Sequence, residues 1–269
     1  MVGMQVKYGF LDRPQGILCL AFVTYFLWVT VTFLLEGRIL TLLRPEAAID
    51  RIVYTIIANI MIGSVLALLI VRHGITTEII SLNSGGFQPL RRTLVAVVIG
   101  LILGVLVLLL QHPASLDPVV FLNIYAQVFT VTVAEIAVCW IVVGSIIEGV
   151  LSQKGKGIAV MSGILLSSIL FGIYHFAHSP PFNQPAMIGF LTIIGLVTGL
   201  VYFIGRDVYA TIVFHNFFGC IGVMQSLSAS GLLTAYSRPL VPVIGMAVLS
   251  FLVFAGIDYL YIRKKIPPI

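Results

Sequence analysis

The sequence predicts an all-α, polytopic membrane protein, and three observations carry that prediction. The 269 residues are 59% hydrophobic and only 9% charged, with a mean hydropathy of +1.12, whereas a soluble domain carries about 25% charged residues. Several apolar runs reach the roughly 18–20 residues that one helical crossing of a bilayer needs. These runs do not alternate with a period of two, as the strands of a transmembrane barrel do.

Eight spans are expected, near 16–35, 53–71, 93–111, 119–147, 158–178, 186–204, 208–229 and 240–262, together forming a single membrane domain over 1–269. Lys7 and Arg13 precede the first span and no small-residue cleavage site follows it, so it reads as a retained helix and not a signal peptide. The connection 72–92, with its Gly-Gly and Pro, is the longest. Gly100 and Gly104 in the third span, and Gly195 and Gly199 in the sixth, are small-xxx-small pairs. Such pairs let helices approach closely, within the chain or as an oligomer face. "QKGKG" at 153–157 is the clearest turn, and "GRD" at 205–207 is a tight reversal.

An even number of spans puts both termini on one side. That side holds Lys7, Arg13, Arg72, Arg91, Arg92, Lys154, Lys156, Arg206, Arg263, Lys264 and Lys265, and the other holds Arg38, Arg44, Arg51 and Arg238. By the positive-inside rule both termini are cytoplasmic, in a multi-pass cell-membrane protein. The formal charge of +5 is then a topology signal. No basic cluster with interleaved aromatics points to nucleic acid. Cys19, Cys139 and Cys220 lie inside spans without pairing or zinc-type spacing and read as apolar fillers.

Ionisable groups in the bilayer interior are costly and mark function more often than in a soluble core. Glu135 lies within the fourth span and Glu148 at its end. His175 and His178 close the fifth, and His215, with Asn216 beside it, lies in the seventh. Asp258, with Arg263 to Lys265 nearby, reads as an interfacial charge. The fourth and fifth spans run antiparallel about a turn near Gly155. Glu135 is 20 residues before that point and His175 20 after it, so at about 1.5 Å per residue the two share one depth. Glu148 lies about 220° around the helix from Glu135 and off its face. His215 is only nine residues past Arg206, which places it shallower than His175 on a straight helix.

Imidazoles and a carboxylate can orient and deprotonate a water. The same groups can hold a divalent metal such as zinc, with His175, His178 and His215 as the candidate ligands. Alternatively, each histidine bonds only its local neighbours and ties helices together. A transporter or proton pathway would use the same groups, but no span has the central proline of a broken helix.

The stretch "EGVLSQKGKGIAVMSGILLSSILFGIYHFAH", followed by "GLVTGLVYFIGRDVYATIVFHNFFG", resembles the CPBP family. This is the Rce1/Abi group of intramembrane proteases, which includes CAAX-prenyl endopeptidases. The likeness covers about 130–222. Phe171 and His175 match the family's FxxxH motif, and His215 matches the His of its third motif. The first motif, EExxxR followed by Gly, is departed from. Aligned on Gly149 it places Glu148 at the Arg, with Val143 and Gly144 at the glutamates. Aligned on Glu135 it gives one glutamate, then Ile136, with Trp140 at the Arg. The third motif's Asn or Asp is replaced by Gly219, and Asn216 lies about 100° off that face.

The resemblance implies hydrolysis of a peptide bond in a membrane-embedded or lipidated peptide, by a water activated by glutamate. Glu135 would be the base, with Glu148 as the alternative. His175 and His215 would orient the water or polarise the carbonyl, and His178, Asn216 and Phe171 would contribute to binding. The departures keep a second outcome open: a catalytically inactive relative that binds a protein or lipid-linked partner.

Overall fold

The computed structural model describes residues 9–42, 44 and 46–263, so Lys7, Lys264 and Lys265 of the charge argument lie outside the described residues. Among the described residues, eight helices are long and apolar enough to cross a membrane. They are α1 (Pro14–Gly37), α2 (Ala48–Thr76), α3 (Leu90–Leu110), α4 (Pro118–Lys154), α5 (Lys156–Ala177), α6 (Pro185–Gly205), α7 (Val208–Ala229) and α8 (Val241–Arg263). No strand occurs among the described residues.

The ends have local causes. Prolines, which pre-set φ and lack an N–H that would be orphaned there, stand in the first turns of α1, α4, α6 and α8. Asp117 caps α4, accepting from the Val119 N–H at 2.7 Å. Asp207 caps α7 through the Ala210 N–H at 2.9 Å and also accepts from Thr93 Oγ1 at 2.7 Å, which fastens α3 to that corner. The α6–α7 reversal puts Arg206 in the left-handed region, at φ 54°. Gly155 turns α4 into α5 at φ 109°, a backbone conformation suited to glycine. Helices α2 and α4 run past their expected ends, to Thr76 and Lys154. Hydropathy registers only the apolar part of a helix, and here polar turns continue it.

Helix α4 is the hub, packing against α1, α2, α5, α7 and α8. Every residue from Thr132 to Ile147 is buried. By contrast α3 buries only Thr93, Gly100, Gly104 and Leu108, a single stripe laid on α7. The glycine pairs work inside the chain. A Cβ on Gly100 would meet the Ala210 carbonyl oxygen at 2.7 Å, and one on Gly104 would collide with the Phe217 ring. Gly195 and Gly199 seat α6 on Ser168, Phe171, Ile164 and Trp140. Their small size thus serves packing within the chain, the first of the two uses expected for them.

Asp258 is buried, bonded to Arg263 Nε at 2.8 Å and to the Tyr209 hydroxyl at 2.7 Å. Its basic neighbour is as expected. Cys19, Cys139 and Cys220 are free thiols.

Candidate active site

Glu135 closes the first α-helical stretch of α4, directly before a π-helical stretch, Ile136–Gly144. Such widened turns recur at functional sites. Its carboxylate is flanked on both sides: Oε1 lies 3.8 Å from His175 Nε2 and Oε2 3.3 Å from His215 Nε2. All three residues are buried. An ionised side chain at the centre of a membrane helix costs about 2.5–3.5 kcal/mol or more, and the two imidazoles offset part of that. Glu135 and His175 thus lie side by side at one depth, as their equal distance from the Gly155 turn predicts.

His215 also reaches this depth, where a straight-helix estimate places it shallower. The reason lies at the corner. Arg206 bonds Glu148 through Nη1 and Nη2, each at 2.6 Å, so the α6–α7 reversal sits level with Glu148 and not with Gly155. The π-helical stretch then shortens the climb from Glu148 to Glu135.

The nitrogens of each ring have assigned partners. His175 Nδ1 lies 2.8 Å from the Phe171 carbonyl oxygen. That oxygen only accepts, so Nδ1 carries a proton. His215 Nδ1 lies 2.7 Å from Thr198 Oγ1. With the Thr198 hydroxyl donating to Nδ1, His215 Nε2–H points at Glu135. Phe171 stands edge-on to both rings, with centroids 4.7 Å from His175 and 5.0 Å from His215.

Not every expected residue joins the cluster. Glu148, the alternative base, is spent on Arg206, with both side chains little exposed at 14% and 13%. Asn216 donates to the Tyr125 carbonyl at 3.1 Å, away from the imidazoles. Gly219 lies against Val128. The three-histidine metal set is not assembled either. Among the described residues, the ligand atoms lying within 4.8 Å of one another belong to Glu135, His175 and His178.

Two contributors are missing from the sequence reading. Glu36, in a π-helical turn at the end of α1 (Phe33–Gly37), is buried. It accepts from the Ser179 N–H at 2.8 Å and from the Ser179 hydroxyl, and its Oε2 lies 3.1 Å from His178 Nδ1. Thr198, which holds His215, is the other. Behind His178, Tyr174 stacks on Trp28 with centroids 3.9 Å apart and shares a 3.3 Å hydroxyl contact with Tyr54. The one sequence signal for Glu36 is an acid at the end of an otherwise apolar run, "FLLEG".

Glu36, Glu135, His175, His178 and His215 all line one cavity of about 450 Å³. Its walls are mostly apolar, with Met187, Phe190 and Ile194 from α6, Phe218 from α7 and Met246 from α8. Arg51 lines it too, but its guanidinium bonds the carbonyls of Thr41 and Arg44. A carboxylate and imidazoles at one end of an apolar chamber can activate a water against an apolar ligand.

Residues 116–221 match the family model described as Type II CAAX prenyl endopeptidase Rce1-like. No curated protein and no solved structure matches the chain. The matched segment contains Glu135, Glu148, His175, His178 and His215 and ends just past Gly219.

Proposed function

From the match of residues 116–221 to the Rce1-like family model, we propose that the protein is an intramembrane peptidase hydrolysing a peptide bond of a membrane-associated substrate. The observation that carries this reading is the Glu135 carboxylate held between His175 Nε2 at 3.8 Å and His215 Nε2 at 3.3 Å, at the end of an apolar cavity. Glu135 takes a proton from water as the oxygen attacks the scissile carbonyl, and returns it to the departing amine. His215 Nε2–H steadies the carboxylate, and Thr198 fixes the ring that does so. His175, held by the Phe171 carbonyl, turns Nε2 towards the attacking water. The apolar walls suit a lipid-attached or membrane-embedded peptide better than a charged one. Phe171 closes the space between the two imidazoles.

The test uses the full chain in liposomes with a prenylated CAAX peptide labelled on both sides of the bond. The wild-type protein is expected to cleave it. Glu135→Gln, which keeps shape and removes the base, is expected to lose at least about 10²-fold in rate, the scale of positioned acid–base catalysis. Undiminished cleavage by Glu135→Gln would overturn the assignment.

The second reading, an inactive relative that binds a protein or lipid-linked partner, is favoured by one observation. Ile136 and Gly219 stand where the family has a second glutamate and an Asn, and Asn216 is turned to Tyr125. It predicts no cleavage of any membrane peptide by the wild-type protein. It also predicts a co-purifying partner that survives Glu135→Gln.

A further inference from the structure

We infer that the groove between α3 and α6, floored by α7 at the arginine-rich end of the bundle, binds one phospholipid with an anionic headgroup. The groove shares no lining residue with the cavity around Glu135, and the inference does not rest on the peptidase reading.

Shape comes first. Helices α3 and α6 both pack on α7, and an open groove of about 640 Å³ lies between them. Its α3 wall carries Arg91, Arg92, Val95, Ala96, Ile99 and Leu103, and its α6 wall Val201 and Gly205. Ala210 and Thr211 of α7 form the floor. The Thr211 hydroxyl is committed to the Asp207 carbonyl at 2.7 Å, so it offers the groove no free donor. Below the arginines the walls are apolar, and they face the bilayer: Leu94, Val98 and Ile102 beside them on α3 are exposed.

Length agrees with one acyl chain. Arg92 and Leu103 are 11 residues apart, about 16 Å along a helix at 1.5 Å per residue. One leaflet supplies about half of the roughly 30 Å hydrocarbon core. The groove therefore runs from headgroup level to near the midplane.

Charge selects the headgroup. At this end of the bundle Arg206 pairs with Glu148 and Arg263 with Asp258. Arg91 and Arg92 are exposed, and among the described residues neither has a carboxylate partner. Arg92 donates from Nη2 to the Gly205 carbonyl at 3.3 Å, which lays its guanidinium across the groove mouth from α3 to α6. A guanidinium has five N–H donors in a planar fork that suits phosphate, so most of them stay free here. The acid among the lining residues, Asp207, is 1% exposed; Oδ1 accepts from the Ala210 N–H and Oδ2 from Thr93. It is turned inward and leaves the mouth positive.

A hydrocarbon trough with two free guanidinium groups at one end fits a phospholipid lying along it, its phosphate between Arg91 and Arg92. Basic pockets between membrane helices take anionic headgroups in this way. The end concerned is the one that the lysine and arginine count assigns to the cytoplasm, where the leaflet is negative. The lipid would also clasp α3, which the chain itself holds by one narrow stripe.

The test offers the full chain, in neutral detergent, equal amounts of phosphatidylglycerol and phosphatidylcholine with the same acyl chains. Native mass spectrometry counts the bound lipids. One phosphatidylglycerol per chain is expected, favoured about 30-fold, from about fivefold for each arginine near an anionic headgroup. Arg91→Gln/Arg92→Gln should bring the two lipids to equal binding. Ala96→Phe keeps the charge, fills the groove and should displace phosphatidylglycerol. Lys154→Gln/Lys156→Gln removes two cations at the α4–α5 turn and should keep the wild-type preference. Phosphatidylglycerol should raise the unfolding midpoint of the wild-type chain and not that of the arginine variant, because a ligand stabilises only the state that binds it. Excess inorganic phosphate should leave the lipid in place.

Equal binding of the two lipids by folded wild-type protein overturns the inference. So does a preference that survives Arg91→Gln/Arg92→Gln, or one lost equally in the lysine variant, which would mark general surface charge. Displacement by inorganic phosphate would mark a bare anion site, and phosphatidylglycerol retained by folded Ala96→Phe would place the lipid elsewhere. If the arginine variant does not fold, Ala96→Phe decides.

Discussion

Replacing Arg206 or Glu148 with glutamine separates architecture from chemistry at the second glutamate of the segment 116–221. The two side chains meet in a bidentate pair with both bonds at 2.6 Å, at 13% and 14% exposure. Removing one partner of a buried pair costs about 3–5 kcal/mol, because the other charge stays buried and unmatched. The remaining exposure of this pair argues for the low end, about 3 kcal/mol, or roughly two orders of magnitude in the unfolding equilibrium. Arg206 also lies over the Phe203 ring at 5.0 Å, so Arg206→Gln should lose about 0.5–1 kcal/mol more than Glu148→Gln. The double variant leaves two amides able to bond each other. It should recover about 2 kcal/mol relative to the sum of the singles, within the range for contacting residues. Equilibrium unfolding in mixed detergent micelles supplies the three differences, and cleavage per folded molecule should stay near wild type in the double variant. Additive singles would refute the coupling. A Glu148→Gln protein of undiminished stability that no longer cleaves would refute the structural role and make Glu148 the base.

Two shorter predictions concern the walls of the site. Thr198→Val leaves His215 Nδ1 without its 2.7 Å partner, and the unmatched acceptor costs about 1–3 kcal/mol. The turnover number should fall about tenfold while the Michaelis constant moves little; equal loss in both would show that Thr198 shapes binding instead. Gly63→Val drives a side chain into Ala134, the neighbour of Glu135. Overpacking of this kind costs about 1–3 kcal/mol, so a lower unfolding midpoint together with slowed cleavage is expected, and an unchanged protein would mean that α2 can slide freely past α4.

Much of the fold is legible because a bilayer makes hydropathy almost a ruler. The eight spans fall close to their expected places, and the errors sit where polar turns prolong a helix, at Thr76 and Lys154. The Glu135–His175 pairing is legible for a related reason. Two helices joined by a tight turn at Gly155 keep a common count of rise, so residues equidistant from it meet.

Glu36 escapes that logic. It lies at a span end, where charges are ordinary, and its partner Ser179 is 143 positions away. Nothing local announces that an α1 terminus folds back onto the end of α5. The level of His215 escapes it as well, because that level depends on where the α6–α7 corner is pinned, and the pin is the Glu148–Arg206 pair. The acid beside Gly149 pairs with Arg206, and the one further off faces the imidazoles.

The enclosure of α4 constrains how such a chain can drift. From Thr132 to Ile147 every residue is buried within the protein, so greasiness alone never suffices there, and each exchange must also match a neighbour's contour. Helix α3, with one narrow inward stripe, can swap leucine for valine along most of its length at little cost. Lineages descending from one ancestor should therefore wear fastest at the rim and slowest along this axle. A likeness faint over the full chain can then persist around the segment that bears Glu135.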